Sequence, residues 1–167
     1  QWPEEKQKAE KLEENLKNFV KKKEAGGIID FDKSIATALR DVKICDPAIG
    51  SGAFPIGLLN EISQCIYVLH DISPDTVGKI WDIDSWKPNE VKKYIIQNSI
   101  YGVDIEQGAV DIARLRFWLS LIIDEPEPTA LPNLEYKIVE GNSLLSKFED
   151  EVININWNLK DTSHGLF

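Results

Sequence analysis

The sequence predicts an α/β domain in which a parallel sheet carries flanking helices, with one further helix at the N-terminus. Three observations predict it. Val42-Lys43-Ile44-Cys45-Asp46 reads as a short strand that ends in an acid and runs into a glycine-rich turn and a helix. Ser99-Ile100-Tyr101-Gly102-Val103-Asp104 is a second strand ending in an acid, again followed by a helical pattern. The order strand–helix–strand–helix–strand then implies right-handed crossovers between parallel strands.

The elements follow in chain order. Residues 4–24 form an amphipathic helix, with Ala9, Leu12, Leu16, Phe19 and Val20 on one stripe. Glu4 and Glu5 lie early and Lys21 to Lys23 late, which suits the helix dipole, and Gly26-Gly27 supplies a stop. This helix is set apart as a unit of residues 1–27. It either packs one side on the domain or stands out as a solvated arm. Asp32 to Arg40 is a second short helix. After the first strand comes Pro47-Ala48-Ile49-Gly50-Ser51-Gly52, and Ala53 to Tyr67 is helical, with Pro55 in the first turn where a missing N–H costs little. Residues 71–98 read as an inserted helical segment, because Ser73-Pro74-Asp75 and Lys87-Pro88-Asn89-Glu90 are helix starts. Glu106 to Asp124 is a helix with apolar residues on two sides, which predicts that it is largely buried. Glu125-Pro126-Glu127-Pro128 ends it, and Leu134 to Val139 is the third strand. The tail from Glu151 has no clear period.

Composition narrows the function. With 167 residues, 43% apolar and 28% charged, the chain is an ordinary globular domain with enough length for a core. The N-terminus is charged rather than apolar, so it is no secretory leader. The longest apolar run, near Leu115–Ile123, is shorter than the ~20 residues of a membrane span and is broken by Arg116 and Ser120. A cytoplasmic protein without a membrane partner is expected. Cys45 and Cys65 sit in apolar neighbourhoods and are expected to be buried free thiols. His70 and His164 are isolated, so no metal site is expected. The net charge is −9, and seven Lys against six Glu in residues 1–25 leave −10 for the remainder. That is no primary DNA-binding face, since phosphate contacts need a basic surface.

In a parallel sheet, ligands sit beyond the carboxyl ends of the strands. Asp46 and the loop to Gly52 end the first strand, Asp104 ends the second, and Asn142 and Ser143 follow the third. Gly50 and Gly52 let the backbone approach a ligand closely. Asp46 would hold the loop or attract a cation. Asp104 would accept bonds from two ribose hydroxyls, each worth ~1.5–3 kcal/mol. Asn142 would read an adenine edge, because its amide both donates and accepts. A nicotinamide-type site fits poorly: Pro55 stands where the third glycine is needed, and the acid lies 52 residues beyond Gly52 rather than about 20. No Gly-Lys-Ser/Thr follows the loop, which excludes a Walker site.

Asp46-Pro47-Ala48-Ile49-Gly50-Ser51-Gly52-Ala53-Phe54 resembles the D-P-A-C-G-S-G-x-F motif of adenine-N6 DNA methyltransferases. Ile100 to Ile105, with Ala109-Val110-Asp111-Ile112-Ala113-Arg114-Leu115-Arg116-Phe117-Trp118-Leu119-Ser120-Leu121, resembles their second motif. Gly141-Asn142-Ser143-Leu144-Leu145 resembles the third, and the likeness covers residues 28–167. It is closest to fused restriction–modification enzymes and related phage-defence methyltransferases. The resemblance implies a Rossmann-like methyltransferase fold and S-adenosylmethionine as cofactor. Asp46, Pro47, Ala48, Gly50, Ser51 and Gly52 would line its methionine part with Phe54 beside it. Asp104 would take the ribose, Ile105 would pack on the adenine, Asn142 would meet its amino group, and Ser143 would lie adjacent. Ile105 is equally at home in a core, and Ser143 is equally a cap. Ile49 stands where the family has Cys, an exchange expected to matter little.

The family's catalytic Asn-Pro-Pro-Tyr/Phe motif does not occur in these residues. The expectation is therefore a truncated, cofactor-binding half of the domain, inactive by itself, with no catalytic residue in the chain and with DNA contacts supplied by other segments. Self-association through the open sheet edge is a further expectation. The rival readings are the cofactor half of a non-DNA methyltransferase and a non-catalytic docking module.

Overall fold

The computed structural model describes residues 2–123, 130–145, 147–148 and 151–152. Helix α1 spans Trp2–Lys22, and a single 3-10 turn, Ile29–Phe31, leads into α2, Asp32–Asp41. Strand β1 is Ile44–Asp46, followed by helices α3 (Ala53–Ile72), α4 (Pro74–Trp81) and α5 (Pro88–Asn98). Strand β2 is Ile100–Asp104, α6 is Gln107–Ile122 and β3 is Ile138–Glu140. A small hairpin of β4 (Lys147–Phe148) and β5 (Glu151–Val152) follows. The architecture is the expected α/β one. β1, β2 and β3 form a parallel sheet in that order, with Ile44 opposite Ile100, Gly102 opposite Ile138 and Asp104 opposite Glu140.

This register stacks the strand ends, so Asp46, Asp104 and Glu140 leave the sheet at one rim. The two faces of the sheet differ. Ile100, Gly102 and Ile138 are buried beneath α5 and α6, while Tyr101, Val103 and Val139 on the other face are half-buried. Cys45 pairs with Tyr101 on that less covered face and is exposed, so the expected buried thiol is found only at Cys65. Strand alternation decides the difference, because neighbouring residues point to opposite faces.

The inserted segment forms two helices, each begun by a proline whose missing N–H is harmless at a first helical position. Val77 and Trp81 of α4, and Val91, Ile95 and Ile96 of α5, pack with Leu59, Ile66 and Leu69 of α3 in one core. Helix α6 departs from expectation. Val110, Ala113, Phe117 and Leu121 are buried, but the second stripe is not, with Ile112 49% and Leu115 51% exposed. The sheet, α3 and α5 pack on α6, and the side that carries Ile112 and Leu115 stays open among the described residues.

Helix α1 ends at Lys22 rather than at Gly26-Gly27. Lys23 takes a left-handed conformation (φ 62°), and its ammonium reaches the Val20 carbonyl and the Glu61 carboxylate, the latter at 2.7 Å. These contacts close the helix earlier than any glycine would. Only Phe19 of the predicted stripe is fully buried. Leu12 and Leu16 are half-buried, and Ala9 and Val20 are exposed. The helix thus docks by its C-terminal half. β3 is also shorter than the expected 134–139. The Asn133 Oδ1 accepts the Glu135 N–H at 2.9 Å, and the amides of Lys137 and Ile138 both donate to the Leu134 carbonyl at 3.0 Å. Those bonds make a turn of residues 135–137. The tail beyond Val152 lies outside the described residues. Among the described residues, no helix is long and apolar enough to cross a membrane.

If Phe19 anchors α1, Phe19→Ala lowers stability by about 3 kcal/mol or more in urea unfolding. A change at exposed Ala9 to Ser leaves it within ~0.5 kcal/mol. Equal effects at the two positions would mean that α1 is not docked.

Candidate functional site

The site is built where β1 gives way to its loop. The Asp46 Oδ1 accepts the Ala48 N–H at 3.1 Å, so the acid folds the loop back on the strand end. The Ile49 N–H donates to the Val103 carbonyl at 3.0 Å, and the Gly52 N–H donates to the Ile49 carbonyl at 2.9 Å. Gly50 and Gly52 have φ of 53° and 79°, a left-handed conformation that glycine adopts without steric penalty. A Cβ on Gly50 would meet nothing within 4 Å, so this glycine borders open space. A Cβ on Gly52 would lie 3.1 Å from the Ala113 Cβ, so α6 packs directly under the loop.

The second strand end completes the cradle. The Asp104 carboxylate accepts the Gly50 N–H at 2.7 Å through Oδ2 and the Glu106 N–H at 3.0 Å through Oδ1. These backbone donors, that of Glu106 foremost and that of Gly50 next, hold its pKa below the usual carboxylate range. The third strand end is tied in twice. The Gly141 N–H donates to the Asp104 carbonyl at 2.8 Å, and the Ser143 hydroxyl donates to the Pro47 carbonyl at 2.7 Å. Asn142 turns its Oδ1 to the Leu144 N–H at 3.0 Å. Ser143 therefore braces the first loop rather than capping its own turn.

The three predicted strand ends are thus joined by hydrogen bonds at one rim of the sheet. Around them Pro47, Ala48 and Asn142 are exposed, as are two larger apolar side chains, Phe54 (65%) and Ile105 (72%). Ile105 is not a core residue. A rim with a carboxylate, left-handed glycines and exposed apolar groups suits a ligand that is part polar and part flat and apolar.

Sequence reasoning missed three contributors. Ile49 is only 4% exposed, and its Cδ1 lies 2.2 Å from where a Cβ on Gly102 would stand. The Ile49 side chain therefore fills the space that a side chain at position 102 would need. Ala113 underlies Gly52, and the Arg116 Nη1 donates to the Ser51 hydroxyl at 3.1 Å. The spacing of 113 and 116 on one helix face was a readable signal, but the partner loop was not.

Comparison with known proteins finds similarity to restriction–modification proteins. Residues 98–165 match the family described as Eco57I restriction-modification methylase. The chain is also similar to a protein of Methanocaldococcus jannaschii named "Putative type II restriction enzyme and methyltransferase". The two are 36% identical over 124 residues, which cover 68% of this chain and 9% of the relative. This chain thus spans a small part of that relative's length. No solved structure matches it.

Two outcomes follow from the geometry. Gly102→Ala should cost about 1–3 kcal/mol through the clash with Ile49. In a double-mutant cycle with Ile49→Ala, part of that loss should disappear. Strictly additive losses would show that the two side chains do not compete for one space. Asp104 carries a depressed pKa, so its contribution to stability is complete above the usual carboxylate range. It is lost as pH falls through the lower folded value. Asp104→Asn should therefore flatten the acid limb of the unfolding profile below the usual carboxylate range. An unchanged acid limb would show that the carboxylate is not held by those amides.

Proposed function

We propose that the chain, whose residues 98–165 match the restriction–modification methylase family, is the S-adenosylmethionine-binding part of a DNA adenine-N6 methyltransferase. The observation that carries the cofactor reading is the 2.7 Å bond from the Gly50 N–H to the Asp104 carboxylate, which sets glycine loop and acid side by side.

The residues present suit that cofactor. Gly50 borders open space that a side chain would fill. Each Asp104 oxygen spends one lone pair on an amide and keeps another for a ribose hydroxyl. Phe54 and Ile105 offer exposed apolar surface for an adenine ring. Asp46 uses one oxygen on Ala48 and offers the other to an amino group. When bound, S-adenosylmethionine supplies a methyl group activated by its sulfonium.

The chain's own part is orientation. Asp104 would fix the ribose, the loop from Asp46 to Gly52 would hold the methionine end, and Asn142 would meet the adenine amino group, with the Ser143 hydroxyl keeping that turn against Pro47. Such positioning is a large share of the rate in direct transfer between two bound partners. We assign the groups that hold the target adenine, and the basic surface for DNA, to other segments of the polypeptide. The −9 charge of this chain and its lack of an Asn-Pro-Pro-Tyr sequence support that assignment. The 167 residues alone are then inactive. A cytoplasmic location fits this role. Self-association would use the edge of β1 opposite β2, which pairs with no strand among the described residues. A second reading, a docking module without catalysis, draws on the exposed apolar stripe of α6.

Calorimetry of the intact polypeptide with S-adenosylhomocysteine should show binding that Asp104→Ala weakens at least about tenfold, since charge-assisted bonds are lost. Mass spectrometry of DNA incubated with the methyl donor should show N6-methyladenine. Absence of binding would sink the cofactor reading and favour the docking module. Binding with methylation of some other acceptor would sink the adenine assignment alone.

A further inference from the structure

Two arginines stand two residues apart on α6, and the helix turns them to different tasks. Arg114 donates to the Ile138 carbonyl at 2.6 Å through Nη2 and at 3.0 Å through Nε, and its Nη1 lies 3.7 Å from Asp111. It is occupied with the entry to β3. Arg116 lies roughly 200° further round the helix axis. Its Nη1 donates to the Ser51 hydroxyl at 3.1 Å, across 65 residues of sequence. Among the described residues Arg116 makes no ion pair, and α6 carries no acid one turn to either side of it; its guanidinium ends on a hydroxyl in the glycine loop.

Its place on the helix matters. Ala113, one turn earlier on the same side of α6, supports Gly52 from below. Ser51 lies between the two left-handed glycines. Gly50 has nothing within 4 Å of its missing Cβ, whereas Gly52 rests on Ala113, so α6 is the element that packs beneath the turn. Two side chains therefore restrain the Gly50–Gly52 turn: the Asp104 carboxylate at the Gly50 N–H, from the end of β2, and Arg116 at the Ser51 hydroxyl, from α6.

We propose that Arg116 is a positioning residue for the donor site, holding the Ser51 hydroxyl and with it the Gly50–Gly52 turn in the shape that receives the amino-acid end of the methyl donor. The inference rests on the reading of the loop as the S-adenosylmethionine site. Arg116 acts through Ser51 and not by touching the reacting atoms. Its effect is confined to ligands that extend over the loop. A ligand that ends at the thioether and lacks the amino-acid part lies over Asp104 and Ile105 and does not sense Arg116.

The experiment compares two ligands on the intact polypeptide. S-adenosylhomocysteine carries the amino-acid end, and 5′-methylthioadenosine lacks it. Arg116→Ala should weaken the first about five- to tenfold, the scale of one exposed charge-assisted hydrogen bond, and leave the second unchanged. Arg116→Lys should recover part of the loss. Ser51→Ala should match Arg116→Ala, with no further loss in the double variant. Equal weakening of both ligands, or no weakening of either, overturns the positioning role. If the unsubstituted protein binds neither ligand, the cofactor reading itself fails, which is a separate result.

Discussion

The Gly50 N–H reaches the Asp104 carboxylate at 2.7 Å, and most of the rim is arranged by that one bond. It joins the loop after β1 to the end of β2, two points 54 residues apart in the chain. For the amide to point there, the loop must turn sharply, which two left-handed glycines allow. For the acid to be in place, β1 and β2 must pair in parallel with Asp46 beside Gly102, as they do. The Glu106 amide and, after it, the Gly50 amide favour the ionised carboxylate, so the loop is organised around a charge.

Helix α6 is the second constraint. It packs Ala113 against Gly52, sends Arg116 to Ser51 and sends Arg114 to the Ile138 carbonyl. One rigid element thereby registers the first loop against the third strand. The same helix leaves Ile112, Leu115, Leu119 and Ile122 exposed among the described residues. A helix that organises a site from one side and shows an apolar stripe on the other is a natural joint between this domain and whatever lies beside it. The half-buried sheet face that carries Tyr101 and Val139 is of the same kind, since parallel sheets are commonly covered on both faces.

The core explains why such a site survives on a small sheet. Three short strands bury little by themselves, and stability comes from α3, α4 and α5 packing around Leu59, Leu69, Trp81 and Ile95. The inserted segment that lengthens the gap between loop and acid is therefore structural. It is also the reason that spacing rules written for dinucleotide sites did not fit this chain. The chain placement of the acid shifts with the insertion, while its position in space is kept by the strand register.

The sequence by itself determined the element order, the acid at each of two strand ends, the glycine loop, and the inserted helices with their prolines. These are local: each depends on residues a few positions apart and on the periods of strand and helix. It mistook what depends on coverage. Cys45, the outer stripe of α6 and the length of β3 were misread, because a periodic pattern shows which side is apolar and not what lies against it. Only the tertiary structure decided that Ile49 excludes a side chain at Gly102, that Ser143 braces Pro47, and that Arg116 bonds Ser51. Those contacts span 53, 96 and 65 positions. Their partners are chosen by how strands and helices stack, which no local pattern encodes.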